Sequence, residues 1–122
     1  MAQGRKITGG KYKFFRKKKK YEIKGIERKV KLGKTKQKLI RGIGGNKRSV
    51  LLSSEFANVF DSATKKSKKV KIKNVLETPS NRFLARQNIL VKSAIIETDL
   101  GKARITNRPS QEGNVQAVLI SK

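Results

Sequence analysis

Cysteine and histidine are both missing from this chain of 122 residues. Without cysteine there are no disulfides and no thiolate ligands. Without histidine there are no imidazole ligands and no Ser–His or Cys–His nucleophile. Acids are scarce: 8 Asp and Glu stand against 32 Lys and Arg, for a formal charge of +24. The eight acids are Glu22, Glu27, Glu55, Asp61, Glu77, Glu97, Asp99 and Glu112. Only Glu97 and Asp99 suggest a carboxylate pair, on one face of a predicted strand beside a turn. Charge balance for Lys102 or Arg104 is the simpler reading there, and no enzyme is expected. Long apolar runs are also absent: none exceeds four residues, far short of the roughly 20 that a membrane helix needs. The basic N-terminus has no apolar core behind it, so a secretory leader is not expected. A cytosolic compartment is the default. An organellar transit peptide stays open, because the first 21 residues lack acids, although they also lack serine.

What is present is charge of one sign, unevenly placed. Residues 1–50 hold 19 basic and 2 acidic side chains, and residues 51–122 hold 13 and 6. Within the first segment, Lys11 to Lys20 reads Lys-Tyr-Lys-Phe-Phe-Arg-Lys-Lys-Lys-Lys, seven cations with three aromatics. Burying that many unpaired charges would cost several kcal/mol each. The stretch therefore lies in water or against a polyanion. Residues 1–35 are expected to form a basic extension, punctuated by glycines and disordered without a partner. Its functional reading is phosphate neutralisation with counterion release. The alternatives are a solvated tail or an import-type address. Tyr12, Phe14, Phe15 and Tyr21 either stack on bases or pin the arm to its own body or a neighbour.

Residues 36–122 read as an all-β body. Period-two patterning marks strands at 38–43, 48–56, 69–76, 89–98, 102–107 and 115–120. A short additional strand at Val59 and Phe60 remains open, and 64–69 reads as a polar, basic turn. Gly44-Gly45-Asn46 is a hairpin turn that needs positive φ. The alternation of Lys69-Val70-Lys71-Ile72-Lys73 fails at Asn74-Val75-Leu76, which predicts a bulge or the strand's end. Pro79 stops that strand. Ser80 is expected to cap a short helix through about Gln87 that buries Phe83 and Leu84. Ile89 to Thr98, the most apolar stretch, is expected to be the central strand. The resulting architecture is a small antiparallel six-stranded β-barrel, closed to remove exposed edges, with a long basic, irregular N-terminal extension. Its core is expected to hold about 15 to 20 aliphatic and Phe side chains.

Candidate binding residues follow from the charge and the glycines. They are Arg5, Lys6, Gly9, Gly10, Lys11, Lys13, Arg16, Lys17, Lys18, Lys19, Lys20, Lys24 and Arg28 in the arm, and Gly44, Gly45, Asn46, Lys47 and Arg48 in the body. In both glycine pairs a side-chain-free backbone lets a phosphate approach beside cations; the flat alternative is a turn with surface charges. Neither has Walker spacing. Lys65, Lys66, Lys68 and Lys69 form another basic tip, either a contact or an edge guard. Arg82, Arg86, Arg104 and Arg108 offer bidentate phosphate contacts or are ordinary surface arginines.

Several segments together resemble a known family. They are Arg5-Lys6-Ile7-Thr8-Gly9-Gly10-Lys11, Gly44-Gly45-Asn46-Lys47, Ala57-Asn58-Val59 and Thr78-Pro79-Ser80-Asn81. The longest runs from Ala85-Arg86-Gln87-Asn88-Ile89 through Ala94-Ile95-Ile96-Glu97-Thr98 to Leu100-Gly101-Lys102-Ala103-Arg104-Ile105-Thr106-Asn107-Arg108-Pro109. The chain resembles the eighth small-subunit ribosomal protein of the archaeal and eukaryotic type, in its short archaeal form. One departure is Ser93, where the family pattern has glycine. The resemblance implies a β-barrel bound to small-subunit ribosomal RNA, with the basic N-terminal part threaded along it and neighbouring ribosomal proteins as further partners. It implies a structural and assembly role in the cytoplasmic small subunit, with no cofactor, metal, membrane or small-molecule substrate. Rival readings are a free DNA-compacting or RNA-chaperone protein and a barrel-fold enzyme acting on RNA.

Overall fold

In the computed structural model, residues 4–12, 16–23, 25 and 27–120 are described. Eight strands and one α-helix are present among them: β1 (Lys31–Leu32), β2 (Lys36–Arg41), β3 (Lys47–Ser54), β4 (Phe56–Asp61), β5 (Lys66–Glu77), α1 (Arg82–Arg86), β6 (Ile95–Thr98), β7 (Gly101–Ile105) and β8 (Gln116–Leu119). The barrel is five-stranded, in the order β4-β5-β6-β7-β8, and the other three strands form a separate sheet, β1-β3-β2. The expected six-stranded barrel is thus corrected in both strand count and sheet number. It is also not wholly antiparallel. The barrel closes through a parallel pairing of Asn58–Phe60 with Gln116–Val118, and β1 pairs parallel with β3.

The extra sheet arises at one residue. Chain expected to form a single strand over 48–56 breaks at Glu55, where β3 leaves one sheet and β4 enters the other. The Glu55 carbonyl accepts from Ile72 N–H at 2.9 Å, and the buried Ser54 hydroxyl donates to the Phe56 carbonyl at 2.9 Å. The polar groups of this corner are therefore satisfied although the ladder is interrupted.

Alternation fixes the faces elsewhere. Val70 and Ile72 on β5 point inward, as do Ala57 and Val59 on β4 and Ala103 and Ile105 on β7. On β5 the register shifts between Ile72 and Asn74 and again between Val75 and Glu77. The extra residue is what lets Val75, three positions from Ile72, return to the core. Lys65 in the β4–β5 turn takes φ 53°. The Asp61 carboxylate holds that turn, accepting from Ala63 N–H at 3.0 Å and the Thr64 hydroxyl at 2.8 Å. Those bonds, led by the hydroxyl, lower its pKa.

Sixteen hydrophobic residues are buried among the described residues, all aliphatic. Phe56, Phe60 and Phe83 are 39%, 39% and 68% exposed, so the expected aromatic share of the core is not there. Helix α1 is capped by Asn81, not Ser80: its side-chain oxygen accepts from Phe83 N–H at 3.0 Å. With the helix shortened, Phe83 faces solvent and Leu84 is half-buried.

In the stretch from Ile89, Ile89, Leu90 and Ala94 are buried, but no strand begins until Ile95. Leu90 N–H donates to Val30 O at 2.8 Å and Ser93 N–H to Ile105 O at 2.8 Å, so its backbone is satisfied outside a continuous ladder. Val30 belongs to the same hydrophobic cluster as the barrel, and Lys31–Leu32 pair with β3. Ser93 is exposed and has φ 67°, a left-handed conformation that favours glycine. Conformation, rather than tight packing, is what would favour glycine there. Ser93→Gly is expected to raise stability by about 0.5–1 kcal/mol, the relieved strain outweighing the extra unfolded-state entropy of glycine. Chemical denaturation checks this: a higher midpoint for Ser93→Gly and an unchanged one for Ser93→Ala.

A candidate nucleic-acid interface

The described candidate residues are all exposed except Arg28, which is half-buried. Lys13 and Lys24 lie outside the described residues, as do Phe14 and Phe15. Arg28 apart, the rest fall into three groups. No hydrogen bond or ion pair joins one group to another among the described residues.

The first group is a tight loop. Arg5 and Lys11 form an isolated antiparallel bridge, Lys6 N–H donates to Gly10 O at 2.9 Å, and Gly9 N–H donates to Lys6 O at 2.8 Å. Gly9 takes φ 80°, which a side chain would oppose. Arg5 also donates to Gly9 O at 3.1 Å. The loop thus holds Arg5, Lys6 and Lys11 around a glycine turn. Ile7 at its tip is fully solvent-exposed, and Lys6 Nζ lies 5.7 Å from the Tyr12 ring centre.

The second group runs from Arg16 to Lys20. Its organiser is Glu22, which composition alone passes over. Both carboxylate oxygens accept from Arg16, at 2.7 Å each, and Lys19 N–H donates to Oε2 at 2.9 Å. A 3₁₀ turn over Lys20–Glu22 results. The Arg16 guanidinium foremost, then the Lys19 amide, holds the Glu22 carboxyl below its usual range, with a minor contribution from Lys18. A lowered carboxylate pKa means this ion pair is intact at neutral pH and is lost as pH falls through that value. Arg16 is accordingly engaged, while Lys17, Lys18, Lys19 and Lys20 carry no acidic partner among the described residues. Tyr12 and Tyr21 are 51% and 77% exposed, and Tyr21 sits 6.0 Å from Lys19 Nζ. Neither packs into the barrel core.

The third group is the β2–β3 hairpin tip. Gly42 N–H closes the turn onto Asn46 O at 2.6 Å, and Gly44 and Gly45 take φ 73° and 78°, as the turn chemistry predicts. Pairing sets Arg41 opposite Lys47 and Ile40 opposite Arg48. Ile43 at the tip is 97% exposed. Two glycine turns in separate parts of the chain therefore share one chemistry: cations on the flanks and a bare isoleucine at the apex.

Two acids form ion pairs on the barrel. Glu55 pairs with Lys71 at 2.8 Å and Asp99 with Lys73 at 3.1 Å, both on the outer face of β5. Glu55 raises the Lys71 pKa. Asp99 thus balances Lys73, not Lys102 or Arg104. Of the residues expected to form a second basic tip only Lys65 lies in the turn; Lys66, Lys68 and Lys69 belong to β5, paired with β4, and Lys69 lies 4.9 Å from the Phe56 ring centre. Arg28 Nε donates to Ser110 O at 3.2 Å, joining residues 82 positions apart.

No group of three or more Asp and Glu capable of holding a metal is present among the described residues, and no helix is long and apolar enough to cross a membrane. The geometry is that of a small β-barrel protein presenting cationic turns, with few acids to balance them. The chain belongs to the family described as ribosomal protein S8e, whose model matches residues 1–120. This family is structural and non-enzymatic. Similar proteins include the small ribosomal subunit protein eS8 of Methanococcus aeolicus, 48% identical over 96% of this chain and 92% of that protein. The protein of the same name from Sulfurisphaera tokodaii is 46% identical, over 95% and 91%.

Proposed function

We propose that the chain is a structural constituent of the small ribosomal subunit, binding ribosomal RNA through its basic N-terminal arm, residues 1–35, and the basic surface of its body, and so aiding subunit assembly and stability. Small-subunit ribosomal RNA and neighbouring ribosomal proteins are its partners, and the cytoplasmic small subunit is its place. One observation carries this reading beyond family membership. The described arm and hairpin-tip cations are exposed, the half-buried Arg28 apart, and none but Arg16 has an acidic partner among the described residues, while on the barrel Lys71 and Lys73 are paired with Glu55 and Asp99. A surface so biased is repelled by itself and stabilised by a polyanion. Glycine turns at 9–10 and 44–45 allow close approach to phosphates. Ile7 and Ile43 at their tips are available to lie against a base or ribose.

Sedimentation at high salt tests this. The tagged full-length chain is expected to travel with small-subunit particles in 0.5 M salt and to prefer small-subunit ribosomal RNA over heterologous duplex DNA. Recovery only in ribosome-free fractions, with equal affinity for both polymers, would instead support a free nucleic-acid-compacting protein.

A further inference from the structure

The C-terminal half of β5 and helix α1 wall a cleft of about 660 Å³, away from the glycine turns. This lies within the size range of small-ligand sites. Arg82 and Arg86 both line it, four positions apart and so on one face of the helix. Neither is ion-paired among the described residues, and Glu77, the acid in the wall, is bridged to neither.

Two asparagines complete the lining, each at an irregularity. Asn74 stands at the first register shift of β5, and Asn88 takes φ 51°. Their side-chain oxygens both accept from Val75 N–H, at 2.9 and 3.4 Å. That commits each carbonyl and leaves both NH₂ groups as donors without a protein acceptor among the described residues. Independently, Thr78, also lining the cleft, is fully buried and its hydroxyl has no hydrogen-bond partner among the described residues. Such a group is costly to leave unpaired and calls for a partner. Two guanidinium forks, two amides and a hydroxyl make a donor-rich wall. It suits a ligand rich in acceptors: phosphate oxygens together with the carbonyls and ring nitrogens of a base.

We infer that this cleft receives one unpaired nucleotide of the ribosomal RNA, its phosphodiester on Arg82 and Arg86 and its base edge against Asn74 and Asn88. The inference rests on the RNA-binding reading above and adds a second, body-borne contact specific for single-stranded RNA. The cleft is too small for a duplex. It discriminates by donor geometry where the arm supplies charge.

Ultraviolet cross-linking of the full-length chain to small-subunit ribosomal RNA, mapped by mass spectrometry, tests it. Nucleotide adducts are expected within residues 74–88 as well as in the arm. Arg82→Lys with Arg86→Lys keeps the charge but removes the forks. It is expected to lower the 74–88 adducts about tenfold and leave the arm adducts unchanged, with an unaltered ¹H–¹⁵N spectrum elsewhere in the barrel. Arm adducts with none at 74–88, or 74–88 adducts indifferent to the double substitution, overturn the inference while sparing the RNA reading. Absence of adducts throughout overturns both. In a parallel titration, a single-stranded oligoribonucleotide is expected to shift the Asn74 and Asn88 amides at concentrations where inorganic phosphate does not. Equal response to phosphate alone makes this a free-anion site and also overturns it.

Discussion

Replacing Lys17, Lys18, Lys19 and Lys20 together with alanine is expected to weaken binding to small-subunit ribosomal RNA by on the order of 10²- to 10³-fold at 0.15 M salt. The four side chains are exposed and none has an acidic partner among the described residues. They therefore forfeit little when moved from water to a phosphate surface. Each phosphate neutralised contributes roughly −0.9 to the slope of log affinity against log salt on a duplex. The full arm, with about 8 to 10 contacts, would give a slope of roughly −7 to −9, and the variant should be shallower by about 3 to 4. Thermal unfolding of the body should change little, because these residues contribute nothing to the hydrophobic cluster. Filter binding across a salt series is the measurement. A variant with the parent's slope would show that these lysines remain hydrated in the complex.

The barrel was legible in the sequence wherever one face is buried and the other solvated. The Lys-Val-Lys-Ile-Lys alternation, the inward Ala103 and Ile105, and the disturbance at Asn74-Val75-Leu76 all reappear as strand, face and bulge. Gly44-Gly45 was legible because a φ near 75° narrows the choice of residue. The corner at Glu55 was not. Serine and glutamate are not backbone breakers, and the bend comes from which strands are available to pair on either side. Ile89 to Ala94 misled for a related reason: hydrophobicity reports burial, and here burial comes with backbone bonds to Val30 and Ile105 instead of a ladder. At the interface, exposure of the cations followed from their number. The Arg16–Glu22 pair did not, since it depends on the loop bringing residues six apart face to face. The convergence of Arg82 and Arg86 had a visible signal in their spacing of four, which becomes informative only once α1 is placed beside the bulged end of β5.

Ile96→Asp is expected to unfold the body outright. Ile96 has no exposed surface, sits in the central cluster, and pairs with Val75 on one side and Ala103 on the other, so both neighbouring strands hold it inside the barrel. The substitution removes a buried aliphatic side chain, worth about 2–5 kcal/mol when truncated. It also places a carboxylate where it must either stay charged without solvent or take up a proton, adding several kcal/mol. A domain of this size has about 5–15 kcal/mol in total, and mutual repulsion within a chain of +24 brings this one toward the low end. Ile96→Val, which keeps shape and polarity, should cost only about 0.5–1.5 kcal/mol and retain a cooperative melt. Circular dichroism and amide dispersion read the difference. Because the core is aliphatic among the described residues, no large aromatic is present in it to shift and shield the charge. A folded, cooperatively melting Ile96→Asp would mean that β6 does not lie at the centre of the barrel wall, and the placement of the cleft beside its neighbour β5 would fail with it.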